Sequence, residues 1–520
     1  MKSFNLRFIQ ENKYLFIIAL INFLLAYASS FVKAYGYFID EFYYIACAAR
    51  PAFGYVDHPP LAPLILTVFS FFFGTSLLAI RILPALAQSA SVFFTGMLTK
   101  EIGGGRFAQC LAACAMATSP VIVAFGAFYS MNAYEPLLAI VLLIFTVRMI
   151  KENNPQRWIV LGIIMGLGMM NKHTFAVFIA GLVFSLLVTG QWKLVLNKWF
   201  AAGSLIALLI FLPNIIWQAQ NNYPSLEFYR NISAHKNVYT PPLAFFKNQV
   251  MEMSPSSFPV WFAGIIFLFF SKSVKSCKFL AALFLSLFLF MMISGTSRPD
   301  RLMFAYPAVF AGGGFFFERF ILKHNARWLK AVLMVFLYAG LAIGVPVLLP
   351  YFTYEQVRSY TKLLGLNTEL ETGNRPPLPQ VLADRIGWKE KFNLVLNAYQ
   401  SLPDSEKAKT IIAAENYGQA GALELYGKKY NFPFVASGHN TYYLWSKEKL
   451  ESGTGFKILL QLGHERDLNG LKNVFDSVEV YPGEFTNEYV TSHENHLKVF
   501  ICRGPKIPPL EMLERGRFYY

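Results

Sequence analysis

Long apolar stretches separated by short polar connections dominate the chain. A bilayer takes about 20 helical residues to cross, and stretches of roughly that length fall near 14–32, 78–99, 106–124, 134–150, 157–171, 173–189, 199–217, 257–271, 277–294, 301–318 and 328–350. These eleven segments predict a polytopic α-helical membrane protein. Basic residues recur in alternate connections: Lys2, Arg7 and Lys13; Lys100 and Arg106; Arg148, Lys151 and Arg157; Lys193 and Lys198; Lys272, Lys275 and Lys278; Arg319, Lys323, Arg327 and Lys330. By the positive-inside rule these connections face the cytoplasm. An odd number of crossings then places the first loop, 33–77, the connection at 125–133, the loop at 218–256 and everything after residue 350 on the outer side. The first stretch lacks a small-residue cleavage site and reads as a retained anchor.

Within the first loop, 38–50 and 61–73 read as helices lying along the membrane, separated by a turn at 51–54. The pair Pro59-Pro60 cannot continue a helix but can start one, so Asp57 and His58 stand at a helix entry, where peptide N–H groups favour an anion. Past residue 350 the pattern shortens. Runs of β type at 410–414, 432–435, 457–460 and 497–501 alternate with helical stretches such as 419–426, which predicts a small α/β domain over 351–520 beside a membrane domain over 1–350.

Composition agrees with this division and narrows the function. The chain is 55% hydrophobic and only 15% charged, with a mean hydropathy of +0.40, which excludes a soluble globular protein of this length. The net charge of +15 sits in short clusters between apolar stretches, so it reports topology rather than nucleic-acid binding. The five cysteines, Cys47, Cys110, Cys114, Cys277 and Cys502, show neither metal-type spacing nor a disulfide framework.

Charged groups beside a bilayer are costly unless something pairs with them or uses them. The first loop concentrates Asp40, Glu41, Asp57 and His58. Asp40 and Glu41 are adjacent, so on a helix they point about 100° apart, and one works while the other supports. The bland alternative is a helix cap or a solvated charge. Asp57 suits orientation of an acceptor hydroxyl or of a base, and His58 suits either a phosphate contact or a structural place before Pro59. Lys172, Arg298 and Arg301 are outer-side exceptions to the basic-inside pattern. A lipid phosphate suits them as a partner, with Asp300 or lipid headgroups as the alternative. Glu135 opens the fourth stretch as a carboxylate entering the membrane, and Arg81 near the start of the second is a candidate partner for it.

The runs Asp40-Glu41-Phe42-Tyr43-Tyr44, Gly54-Tyr55-Val56-Asp57-His58-Pro59-Pro60-Leu61 and Ala79-Ile80-Arg81-Ile82-Leu83-Pro84 resemble the GT-C membrane glycosyltransferases of the dolichyl-phosphate-mannose protein mannosyltransferase superfamily. The bacterial branch that includes the lipid A aminoarabinose transferase is most similar. Asn171-Lys172-His173, Ala305-Tyr306-Pro307 and His439-Asn440 extend the resemblance over most of the chain. It implies a GT-C fold of about 11 to 13 transmembrane helices with an extracytoplasmic α/β domain. Asp40 becomes the catalytic carboxylate, with Asp57 and Glu41 beside it. His58, Lys172, Arg298, Arg301 and Arg81 then surround the donor phosphate, and Glu135, Tyr43, Tyr306 and His439 contact substrate. His58 stands where the aminoarabinose enzyme has Lys, and Arg298 and Arg301 replace a more usual Lys and Tyr-Tyr pattern. The implied activity is inverting sugar transfer from an undecaprenyl-phosphate type of polyprenyl-phosphate donor to lipid A, lipopolysaccharide or another envelope acceptor. The implied place is the periplasmic face of a bacterial inner membrane, and a monomer is expected. No cofactor is required, although Asp40, Asp57 and His58 are compatible with a divalent metal. A protein O-mannosyltransferase and a transporter or flippase of polyprenyl-linked solutes remain the alternatives.

Overall fold

The computed structural model describes residues 2–235, 239–295, 298–366, 368, 376–452 and 456–520. Six of the described helices are long and apolar enough to cross a bilayer: Lys13–Phe31, Leu77–Glu101, Met131–Lys151, Lys198–Gln220, Lys272–Ser294 and Trp328–Leu348. The other apolar stretches also carry helices, most of them shorter. Arg106–Ala117 stops before Thr118-Ser119-Pro120, and Pro120 opens a separate short helix, Pro120–Phe125; proline favours the first helical turn and disfavours continuation. Tyr306–His324 is long enough but carries Glu318, Arg319 and Lys323 in its final turns. By length and composition, six of the described helices are able to cross, and five of the eleven expected stretches carry helices that fall short on one count or the other.

One large apolar core joins these helices. Its tightest contact explains part of the Gly312-Gly313-Gly314 run: a Cβ on Gly313 would lie 1.9 Å from the Val260 carbonyl oxygen, and one on Gly264 would lie 1.9 Å from that of Val309. Phe258–Phe270 and Tyr306–His324 thus meet backbone to backbone, which lets small residues replace side-chain interdigitation.

The C-terminal part builds a five-stranded sheet from β1 (Thr410–Ala414), β2 (Val435–Ala436), β3 (Ile458–Gly463), β4 (Phe475–Val480) and β5 (Lys498–Pro505), in the order β2-β1-β3-β5-β4. The first three are parallel, and β5 runs antiparallel to both neighbours. The central strands are the apolar runs of the sequence. Edge strand β4 escapes such a reading because only Phe475 in it is buried, and its Asp476 and Glu479 face solvent.

The first loop supplies Ile39–Ala49 and Leu61–Phe73, both helical. Tyr35, Tyr43, Ala46, Cys47 and Tyr55 from this loop share one hydrophobic cluster with Leu382, Val395, Ile412 and Leu460. The packing unit around the sheet therefore takes in the loop that the chain path assigns to the membrane domain. Helix Tyr417–Gly427 lies directly on Ile39–Ala49; a Cβ on Gly421 would come within 2.9 Å of the Phe42 carbonyl oxygen. Arg50 fixes the contact with two bonds to Glu424, 2.6 and 3.0 Å, while its guanidinium lies 4.6 Å from the Trp445 ring centre. A bidentate Arg–carboxylate pair holds orientation as well as distance.

Candidate active site

A cavity of about 1880 Å³ opens between the first loop, the outer ends of the helices and the C-terminal domain. Asp40 and Asp57 reach it from the loop, Lys172, Arg298 and Arg301 from the helical side, and His439 from the C-terminal domain. These six expected residues share one wall-to-wall space.

Each carboxylate is held by a tyrosine. Asp40 is the second residue of Ile39–Ala49, and the Tyr417 hydroxyl donates to its Oδ1 at 2.9 Å. Tyr43, a turn farther along that helix, donates to Asp57 Oδ1 at 2.6 Å. Its hydroxyl also contacts Thr441 Oγ1 at 2.6 Å, and that oxygen accepts from the Val56 N–H at 3.0 Å. A phenol has one proton. With that proton on Asp57, Thr441 donates to Tyr43, and the whole relay points at the carboxylate.

On the helical side, Lys172 reaches Asn132 Oδ1 at 2.8 Å and Glu135 Oε2 at 2.9 Å. Arg298 meets Asp300 at 3.3 Å. Burial raises the Asp300 pKa, but Arg298, Lys172 and Arg301 together outweigh it and hold the group below the ordinary aspartate value. Glu252, also on the cavity wall, is pushed up to about 7 by burial, with Asp300 adding to the rise and Arg298 opposing it. Near neutral pH a good part of Glu252 is therefore uncharged. Lys172, Arg298 and Arg301 are then set against the two carboxyl groups they pair with, Glu135 and Asp300, which leaves a positive field suited to a phosphate.

The remaining expected residues are elsewhere. Glu41 is fully buried and accepts four hydrogen bonds: from Arg81 Nε and Nη2 at 3.0 and 2.8 Å, from Phe38 N at 2.8 Å and from Tyr129 N at 3.0 Å. Both oxygens are saturated, so Glu41 braces the helix start and Arg81 is its counter-ion, not a phosphate ligand or a partner of Glu135. Glu135 is the buried counter-ion of Lys172, set behind the cavity wall. Tyr43 is buried behind Asp57, to which it donates, and does not line the cavity. Tyr306 sits in the helical core, donating to Gln249 Oε1 at 2.8 Å with Trp261 and Phe284 against its ring, and does not line the cavity. The His58 ring is buried between Tyr44 and Tyr55, with Nδ1 on the Pro59 carbonyl at 2.9 Å. It does not line the cavity, so Asp40, Asp57 and His58 are not gathered as metal ligands. Among the described residues the group with converging ligand atoms is Glu415, His464 and Asp467, at the ends of β1 and β3.

Sequence reasoning missed Asp300 and Glu252 as cavity groups and, more completely, Asp384. Asp384 lines the cavity from a short helix, Gln380–Ala383, is buried, and has Oδ1 without a partner. Burial pushes its pKa up to about 7. Nothing in its surroundings, Val381-Leu382-Ala383-Asp384-Arg385, marks it as a cavity residue.

Residues 57–217 match the family described as dolichyl-phosphate-mannose-protein mannosyltransferase. No curated protein sequence matches the chain. Among solved structures, ArnT from Cupriavidus metallidurans in the apo state superposes with a TM-score of 0.63 at 12% identity, covering 96% of this chain and 98% of that one. The same protein bound to undecaprenyl phosphate gives 0.60 at 11% identity, covering 96% and 99%. The Archaeoglobus fulgidus oligosaccharyltransferase tethered to an acceptor peptide gives 0.52 at 13% identity, over 87% of this chain and 69% of that one. The protein described here thus has the fold of the GT-C membrane glycosyltransferases and, within that fold, resembles ArnT.

Proposed function

We propose that this protein transfers a sugar from a polyprenyl-phosphate donor, of the undecaprenyl-phosphate type, to a lipid A, lipopolysaccharide or other envelope acceptor at the outer face of a bacterial inner membrane. The observation that carries the reading is the opposition, across one cavity, of two tyrosine-held carboxylates and a cation cluster. In this reaction the acceptor hydroxyl oxygen attacks the anomeric carbon while Asp40 takes its proton. The bond from that carbon to the phosphate oxygen breaks on the opposite face, so configuration inverts. The lipid phosphate leaves with the bonding pair, its charge met by Lys172, Arg298 and Arg301. Asp57 orients the acceptor. A cavity of this volume exceeds the roughly 300–1,000 Å³ of ordinary small-molecule sites, as a lipid-linked sugar and its acceptor together require.

The test has two arms. Purified protein is titrated with undecaprenyl phosphate, and envelope glycolipids and glycoproteins are compared by mass spectrometry in cells carrying wild type, a deletion or Asp40→Asn. Saturable phosphate binding, with one sugar mass increment lost from a lipid in both altered strains, supports the reading. Loss of the increment from a protein instead moves the acceptor to a polypeptide. An envelope unchanged by Asp40→Asn but altered by the deletion rejects transfer in favour of lipid binding or transport.

A further inference from the structure

The bond from Tyr417 to Asp40 spans 377 residues of sequence and joins the C-terminal domain to the first loop. It is not an incidental surface contact. The Tyr417 ring lies between that of Tyr43, at 4.8 Å, and that of His439, at 4.7 Å, so its hydroxyl has little room to swing. Its backbone is fixed as well: Asn416 caps the helix by accepting from Gln419 N at 2.9 Å. The Asn416 amide in turn donates to Glu494 Oε1 at 2.7 Å, and Glu494 Oε2 takes Lys391 Nζ at 2.5 Å, both partners of this ion pair being buried. A buried pair broken on one side is strongly destabilising, so this anchor gives the Tyr417 helix a single seat. The chain of contacts runs from Lys391 through Glu494, Asn416 and Tyr417 to Asp40.

We infer that Tyr417 is a positioning residue for the reacting carboxylate: the C-terminal domain sets the orientation of Asp40, so sugar transfer requires that domain to be seated on the first loop. This rests on the proposed transferase reading. A carboxylate on a surface helix turn samples several rotamers, and a displacement of about 1 Å at a reacting group can cost about 100-fold in rate. A hydroxyl fixed from the other domain favours one of these rotamers without touching substrate.

The experiment is sugar-transfer kinetics on the full-length protein for Tyr417→Phe, Asp40→Asn and the double variant, with undecaprenyl phosphate binding measured in parallel. Phe keeps the stack on Tyr43 and His439 and removes only the hydroxyl. The expected result is a fall in kcat of about 10-fold or more, with the donor KM and the undecaprenyl phosphate Kd unchanged, and no added loss in the double variant. Asn416→Asp, which keeps the cap but faces Glu494 with a second carboxylate, should lower kcat in the same direction. Wild-type kcat in both Tyr417→Phe and Asn416→Asp overturns the inference while Asp40→Asn still abolishes transfer. So does a Tyr417→Phe effect that persists on the residual activity of Asp40→Asn. Full activity of Asp40→Asn overturns the transferase reading itself.

Discussion

Asp40 and Glu41 are neighbours on one helix, yet they belong to opposite regions of the molecule. Glu41 faces inward to a closed brace in which Arg81, two backbone N–H groups and its own four acceptor positions match one for one. Asp40 faces the cavity, with one oxygen tied to a hydroxyl from another domain. The far wall differs: Lys172 lines the cavity with two partners of its own, and Glu135, behind it, is less fully satisfied than Glu41, its Oε1 having no partner. A saturated ion pair stabilises one arrangement, whereas groups that line a cavity can act on something that enters it. The two regions should therefore fail in different ways.

The largest effect is expected at Asp40. Asp40→Asn removes the proton acceptor and should lower transfer by about 100- to 10,000-fold, with the melting temperature in detergent and undecaprenyl phosphate binding unchanged. Arg81→Ala attacks the brace instead. It leaves a buried, unpaired Glu41 and should cost about 3–5 kcal/mol of stability, read as a lowered melting temperature and reduced yield of folded protein. Normal stability in Arg81→Ala would remove the distinction between brace and cavity.

Lys172→Met sharpens the comparison on the other wall. Lys172 gives Glu135 one hydrogen bond where Arg81 gives Glu41 two, so the stability penalty should be smaller than for Arg81→Ala. Undecaprenyl phosphate affinity should fall about 10-fold, the equivalent of 1.4 kcal/mol. Unchanged affinity would shift the phosphate contacts to Arg298 and Arg301 alone.

Much of this division was open to sequence reading, and the part that was not has a physical cause. The apolar runs located the helices and the central strands, because burial on all sides demands continuous hydrophobicity. Shorter helices interrupted by Pro120 or ending in charge, as at Glu318, blur any count of crossings. In the cavity, Asp40, Asp57, Lys172, Arg298 and Arg301 stood out as polar exceptions, and His439 came only with the family resemblance. The assignment of Glu41 and Arg81 failed because 40 residues separate the two in sequence and nothing local shows that they meet. His58 shows the same limit: a polar ring beside Asp57 is stacked into an aromatic layer. Asp384 is the clearest omission, since its significance comes only from the loop that folds over it.

Asp384 also gives the smallest expected effect and the finest probe of the cavity side. Its carboxyl is pushed up to about 7 by burial, with Glu494 and Asp40 adding to the rise and Lys391 opposing it. The unfolded value is about 3.9. Between those two pH values the folded protein keeps a proton that the unfolded chain has released, so stability from this group is greatest at low pH and declines as pH rises through that window. Asp384→Asn removes the titration while keeping the size of the side chain. Melting temperatures taken at pH 5 and pH 8 should therefore separate less in the variant than in wild type, by about 2–4 °C, the shift that 1 kcal/mol produces in a domain of 150–250 residues. Equal separation would mean that Asp384 is solvated in the folded protein, and the cavity wall beside Asp40 would then be wetter than its packing indicates.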